Sequence, residues 1–184
     1  LEIVLVNDHS NDSTLELLKQ SDIENIHILD MPKGQNGKKK AISRGVTFAS
    51  GEIIIASDAD CTFHPNWVNK IVSYFANDAV KLVSGPVVLE KQKGILQNFQ
   101  ALEFLSLIVS GAGAIGVKDA IFCNGANMAY RKDVFLQFND FNDSKTVSGD
   151  DVFLLHNLKE KYPASIVFAK DKDVIVRTTG EKNL

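Results

Sequence analysis

Three acidic positions in this chain have the residue types and spacing to do chemistry. The stretch Gly51–Asp60, GEIIIASDAD, runs from an apolar segment, Ile53–Ala56, into Ser57 and two carboxylates one residue apart, Asp58 and Asp60. A short β-branched run of this kind reads as a buried strand. Residues just past the carboxyl end of such a strand stand where open α/β sheets bind ligands. Two carboxylates there repel each other unless a cation or a set of donors takes up their charge. The pair reads either as a solvated acidic turn or as a divalent-metal site holding a phosphate-bearing substrate. Asp8 follows a second apolar run, Glu2–Val6, and Asp150 with Asp151 precedes a helical pattern. In a parallel sheet all strand-to-helix loops share one edge, so Asp8 and the Asp58/Asp60 pair are expected on one rim. Mg2+ or Mn2+ takes one or two carboxylates and completes its shell with phosphate oxygens and water. Between the two acidic loops lie Gly34, Gly37 and the basic run Lys38–Lys40, which suits either a phosphate contact or a solvated helix face.

The elements that position these residues are readable in outline. Strands are expected at Glu2–Val6, Ile26–Leu29, Ile53–Ala56, Lys81–Leu89, Ser165–Ala169 and Val174–Thr178, with a bent strand over Ile121–Arg131 broken at Gly125. Ser13 and Glu16 have capping-box spacing for a helix through Gln20. Helical periodicity also covers Lys38–Ala49, Pro65–Phe75, Gly94–Val109 and Asp150–Lys161. Trp67, Val68, Ile71, Val72 and Phe75 fall on one helical face, which makes Trp67 a core residue before a sugar-stacking platform. Strands alternating with helices predict an α/β fold with a mostly parallel central sheet of Rossmann type and helices on both faces.

Composition excludes several classes. The 184 residues fit one domain; 45% are hydrophobic and 23% charged, as in a globule with a sizeable core. The net charge of −3 leaves no basic footprint for nucleic acid. Cys61 and Cys123 lack metal-ligand spacing and the density of a disulfide scaffold, which favours a reducing compartment. His9, His27, His64 and His156 are scattered without ligand spacing. The apolar stretch Ile95–Gly116 is interrupted by Gln97, Asn98, Gln100 and Glu103, so it is expected to lie at a membrane surface or cover the sheet rather than span a bilayer. The chain opens at Leu1 already in a strand pattern and trails off after Lys170 without a closing helix; both ends are expected to be cut from a longer protein.

Five segments in order resemble family 2 glycosyltransferases, which have the GT-A fold. VNDHSNDS resembles that family's V-D-D-G-S-x-D-x-S/T loop, and NGKKKAISRG its N-x-G-K-x-x-A-x-N-x-G segment. SDAD resembles its D-x-D, FCNGANMAYRKDVF its G-x-x-x-x-Y/F-R-x-x-x-F segment, and SGDDVFL its E-D motif before a helix. Asn7, His9 and Asp150 depart from the family's usual Asp, Gly and Glu, and the family's opening strand is absent. The resemblance implies inverting transfer of a sugar from a nucleotide-diphosphate sugar, UDP-linked, to a hydroxyl acceptor, as in polysaccharide biosynthesis. Asp8 would accept a hydrogen bond from the nucleotide base, and Lys38 would meet the base or phosphates. Asp58 would hold the ribose or a metal-bound water, and Asp60 would ligate Mg2+ or Mn2+. Asp151 would be the general base, Asp150 would orient the acceptor, and Asn124 and Gly125 would line the acceptor site. It further implies one catalytic domain, with a nucleotide-sugar half over 1–90 and an acceptor half over 91–184. The acceptor would be a saccharide or lipid-linked sugar, and the location the cytoplasmic face of a membrane, reached through the full-length protein.

Two other readings stand beside it. Asp58-Ala59-Asp60-Cys61-Thr62 also satisfies the D-x-D-x-T motif of haloacid-dehalogenase-type phosphatases, with Asp58 as nucleophile, although two strands and two helices precede it. A noncatalytic glycosyltransferase-like module would have no reason to keep both Asp60 and Asp151.

Overall fold

The computed structural model describes residues 1–20, 23–90, 94–138 and 150–179. In chain order the elements are β1 (Ile3–Asn7), α1 (Thr14–Lys19), β2 (Ile26–Asp30), α2 (Lys38–Phe48), β3 (Ile53–Ala56), β4 (Cys61–Thr62) and α3 (Trp67–Ser73). They continue with β5 (Leu82–Ser84), β6 (Val87–Leu89), α4 (Ile95–Gly116), β7 (Met128–Arg131), α5 (Lys132–Phe138), α6 (Asp150–Lys161), β8 (Ile166–Phe168) and β9 (Val176–Thr178). Short 3-10 turns occupy Tyr74–Ala76, Gly125–Asn127 and Lys172–Val174.

The α/β architecture stands as expected, but the pairing is mixed rather than mostly parallel. β1–β2, β5–β8 and β6–β9 pair in parallel, whereas β3–β7, β5–β7 and β4–β9 are antiparallel. Two of the three antiparallel pairings come from β7, which inserts between β3 and β5. Its first residue, Met128, pairs with Ala56 and Ser84, the last residues of those strands, so the chain enters β7 from their carboxyl ends. This reversal has a functional consequence. The turn before β7, Gly125–Asn127, thereby lies on the rim that carries Asp58; a parallel strand would have put it at the far edge.

Period-2 alternation divides the core between the two faces of this sheet. Ile54, Leu82, Met128, Tyr130 and Ile166 face one cluster, shared with Val46 of α2, Phe135 of α5 and Leu154, Leu155 and Leu158 of α6. Their neighbours Ile53, Ile55, Val83, Ala129 and Val167 face the other, with Trp67 and Ile71 of α3 and Ile108 of α4. Among the described residues β1 pairs only with β2, and β3 only with β7. The two sheets are tied where Glu2 Oε1 accepts hydrogen bonds from Ser50 N (2.7 Å), Ser50 Oγ (2.8 Å) and Gly51 N (2.9 Å). The Ser50 hydroxyl first, then the two N–H groups, holds the Glu2 carboxyl below its ordinary range.

Four expectations about elements are corrected. Of the bent strand expected over Ile121–Arg131 only Met128–Arg131 is strand, and Gly125–Asn127 is a 3-10 turn. Lys81–Leu89 is two strands in two different sheets, because Gly85 and Pro86 break it; proline has no N–H for the ladder and a fixed φ. Ser13 makes no side-chain cap; its φ of −74° and ψ of 5° are not the extended backbone an N-cap uses. Asp12 takes that part instead, accepting from Thr14 N at 3.0 Å. The helix begun at Gly94 continues to Gly116.

α4 is long and apolar enough, by length and composition, to cross a membrane, yet it is built into the domain. Ile108, Gly111 and Ile115 are its buried stripe, and it packs on β6 and β8. The opposite side carries Ile95, Phe99, Leu102, Leu105 and Val109, all exposed, Ile95 to 92% and Leu102 to 65%.

Candidate active site

The first rim loop is held by side chains at the end of β1. Asn7 stands opposite Asp30 in the parallel pair β1–β2. Its Nδ2 donates to Asp30 Oδ1 at 2.8 Å, and its Oδ1 accepts from Ser10 N at 3.0 Å. An aspartate at position 7 would set a carboxylate against Asp30 at that distance, a physical reason for amide here. His9 adopts φ 60°, the left-handed conformation that glycine reaches without a Cβ penalty; its ring Nε2 lies 3.0 Å from the Gln35 carbonyl oxygen. That contact ties the Asp8 loop to the loop before α2. His9 thus docks one loop on the other.

A continuous set of hydrogen bonds then crosses the rim. Asp8 Oδ2 accepts from Gly37 N at 2.8 Å. Gly37 has φ 102°, a backbone that a side chain would strain, and it delivers the next residue, Lys38, to the start of α2. Lys38 Nζ donates to Asp58 Oδ1 at 2.6 Å. Both partners are substantially exposed, so the pair contributes at most about 1 kcal/mol and exchanges readily with an incoming anion or cation. Asp8, Lys38 and Asp58, 50 residues apart in sequence, are therefore neighbours.

Asp60 is held from the other side. Its Oδ2 accepts from Thr178 Oγ1 of β9 at 2.8 Å, and Cys61 Sγ lies 3.9 Å from Oδ1. The sequence carries no local signal for Thr178, which reaches Asp60 only because β9 pairs with β4. Cys61 is half-buried; burial pushes its thiol up, and the charges of Asp60 and Asp58 push the same way.

The base candidate joins the same rim through main-chain contacts. Ser57 Oγ donates to the Ala126 carbonyl at 2.7 Å, and Gly125 N donates to Asp151 Oδ2 at 2.9 Å. The other carboxylate oxygen of Asp151 accepts from Val152 N at 2.9 Å, in the first turn of α6. A Cβ at residue 125 would come within 3.2 Å of Asp151 Oδ2, so the glycine permits this close seat. Asn124 Oδ1 accepts from Ala126 N at 2.9 Å and shapes the turn. Cys123 lies beneath, 3.4 Å from the Asp151 carbonyl oxygen; burial first, and the Asp151 charge second, push its thiol far above the usual range. Lys39 lies 5.5 Å over the ring of Phe153, which brings α2 against α6 beside the base. Asp150 opens α6, but its side chain, with Ser148 and Gly149 of the motif, lies outside the described residues.

Asn127 has a structural part. It is fully buried, accepts from Trp67 Nε1 at 3.1 Å and donates to the carbonyls of Pro86 and Val174 at 2.8 Å each. Trp67 is core, as expected, and stacks on Phe63 at 4.2 Å.

The donor set fits a hard divalent cation shared with a ligand. Among the described residues no group of three or more His, Cys, Asp or Glu side chains gathers into a protein-only cage. Asp60 and Asp58 supply carboxylate oxygens at the rim, and a cation of the Mg2+ type needs only one or two of these when phosphate oxygens complete its shell.

Comparison with known proteins places the chain in a family and a fold. The description "Glycosyl transferase family 2" matches residues 1–138. The poly-beta-1,6-N-acetyl-D-glucosamine synthase of Staphylococcus aureus (strain COL) is 27% identical over 128 residues, 66% of this chain and 31% of that protein. Glycosyltransferase AglE of Haloferax volcanii is 33% identical over 88 residues, 47% of this chain and 29% of that protein. The chain thus spans about a third of the length of the curated relatives it matches. Among solved structures, the mannosyltransferase PcManGT of Pyrobaculum calidifontis, in complex with GDP-Man and Mn2+, superposes with a TM-score of 0.68 at 17% identity, covering 99% of this chain and 48% of that one. Glucosyl-3-phosphoglycerate synthase of Mycobacterium tuberculosis, with Mn2+ and UDP-glucose, gives 0.60 at 15% identity, covering 98% and 60%. The shared architecture is the GT-A fold, and family membership sets aside the phosphatase reading of Asp58-Ala59-Asp60-Cys61-Thr62. With its ordered acidic loops on one rim of a GT-A sheet and a family match over most of its length, this chain belongs to glycosyl transferase family 2.

Proposed function

We propose that this chain carries the donor site and the base for an inverting, metal-assisted transfer of a sugar from a UDP-linked donor to the hydroxyl of a saccharide or lipid-linked acceptor. The observation that carries this reading is the continuity of the rim: Asp8–Gly37, Lys38–Asp58, Ser57–Ala126 and Gly125–Asp151 link the nucleotide side to the base side. Family membership supports glycosyl transfer. The Mn2+ and nucleotide sugars named for the two solved neighbours support a cation and such a donor, and the Staphylococcus relative supports polysaccharide synthesis.

In this reading Asp8 receives a hydrogen bond from the nucleotide base, Asp58 meets the ribose, and Lys38 leaves Asp58 for the phosphates. Asp60, with Asp58, holds Mg2+ or Mn2+, which when bound neutralises charge developing on the departing diphosphate. Asp151 takes the proton of the acceptor hydroxyl as its oxygen bonds to the anomeric carbon and the carbon–oxygen bond to the diphosphate breaks. The nucleoside diphosphate leaves from the opposite face, so the configuration inverts. Each oxygen of Asp151 accepts one backbone N–H and keeps a second lone pair for that proton.

The test uses the full-length protein, UDP-sugars and Mn2+. Asp60→Ala is expected to lower transfer about a hundredfold or more, since a bound cation supplies several kcal/mol of transition-state stabilisation. Transfer at the wild-type rate in Asp60→Ala would sink the assignment.

Membrane association at the cytoplasmic face belongs to the same proposal and rests on the exposed apolar side of α4. Vesicle flotation checks it: Phe99→Glu with Leu102→Glu is expected to release the domain from neutral lipid vesicles. A domain that never floats with vesicles contradicts this part alone.

A further inference from the structure

The donor to Asp60 lies beyond residue 138, where the family match ends. We propose that Thr178 is a positioning residue for metal binding, its hydroxyl fixing the orientation of the Asp60 carboxylate toward the cation. The proposal rests on Asp60 being the metal ligand. Asp60 lies in the turn between β3 and β4, outside regular structure, so its backbone does not fix its side chain. Its two oxygens have different neighbours. Oδ1 faces the Cys61 thiol at 3.9 Å, a weak donor at long range, while Oδ2 receives the Thr178 hydroxyl at 2.8 Å. A hydroxyl bonded to a carboxylate is the stronger, charge-assisted kind.

Thr178 itself is anchored without using that hydroxyl. It pairs with Cys61 of β4 on one side and Leu89 of β6 on the other, and its carbonyl accepts from Glu90 N at 2.8 Å. β9 is thus the central strand of its sheet. A β-branched side chain there has few χ1 choices, so the hydroxyl is aimed before any ligand arrives. Partners of this kind orient the metal-binding carboxylate, and their loss typically lowers metal affinity 10–100-fold.

Thr178→Val keeps shape and strand pairing and removes the donor; Thr178→Ser keeps the donor. Mn2+ binding to the full-length protein in the presence of UDP, read by calorimetry and by the electron-spin signal of free Mn2+, separates them. Thr178→Val is expected to weaken Mn2+ affinity about tenfold or more with an unchanged melting temperature, while Thr178→Ser stays close to wild type. Wild-type affinity in Thr178→Val, alongside loss of binding in Asp60→Asn, would overturn the positioning role and leave the metal reading standing. Equal weakening in Thr178→Ser would overturn it too, since the hydroxyl would not be the cause. Unchanged Mn2+ affinity in Asp60→Asn would remove the metal reading of Asp60 and this proposal with it.

Discussion

Asp151→Asn is expected to lower the turnover number for sugar transfer about 10²–10⁴-fold, the usual contribution of a positioned general base. It should leave Mn2+ and UDP binding close to wild type. The substitution is nearly isosteric and keeps one oxygen, so one of the two backbone donors, Gly125 N or Val152 N, retains its acceptor. The other then faces an amide NH2, which costs on the order of 1–3 kcal/mol and shows as a modest fall in melting temperature. The chemical effect is much larger, because an amide does not take the proton of an attacking hydroxyl. Steady-state transfer with saturating donor, with UDP affinity measured in parallel, separates the two. A turnover number within about tenfold of wild type would exclude Asp151 as the base and shift attention to Asp150. Weakened UDP binding would show instead that α6 supports the donor side of the rim.

The second large effect is on stability and lies behind the site. Asn127→Ala removes three hydrogen bonds from a fully buried side chain and strands the Trp67 indole N–H and the carbonyls of Pro86 and Val174. Each buried polar group left unpaired costs about 1–3 kcal/mol, so an overall loss of ~3–5 kcal/mol is expected in denaturant unfolding. Gly85 provides an internal control. A Cβ on it would lie 2.3 Å from Asn127 Nδ2, so Gly85→Ala forces that amide out of place and should cost a similar amount alone. In the Asn127→Ala background the clash is gone, and the same Gly85→Ala change should cost far less. Such non-additivity is what contacting residues show. Additive losses, or a loss below about 1 kcal/mol for Asn127→Ala, would refute the network. The network matters to function because Asn127 closes the turn whose Gly125 seats Asp151.

Much of this was legible from residues alone. Ile53–Ala56 has strong β formers and a sharp acidic end, and the strand was placed to the residue. Asp150–Lys161 was bounded as well, because its apolar spacing is helical and local. Capping was harder to read: Ser13 and Asp12 are both good caps by type, and the backbone at Ser13 decides which is used. Lys81–Leu89 reads as one strand because its apolar residues do not say how many sheets they serve. Nothing local in the sequence separates Asn127 from Asn124 on the two sides of Gly125, yet the first amide is buried among three partners and the second shapes the turn.

The sequence by itself determined the α/β class, the order of acidic loops and the family resemblance, since these depend on short-range periodicity and on residue types at the ends of elements. Only the tertiary structure decided who meets whom across the rim. The reversed entry of β7 brings Gly125 to Asp151, α2 lays Lys38 on Asp58, and β9 carries Thr178 to Asp60. Partners separated by 20 to 118 residues leave no local trace. Strand pairing and helix packing bring them together, and those follow from how the whole chain buries its apolar faces.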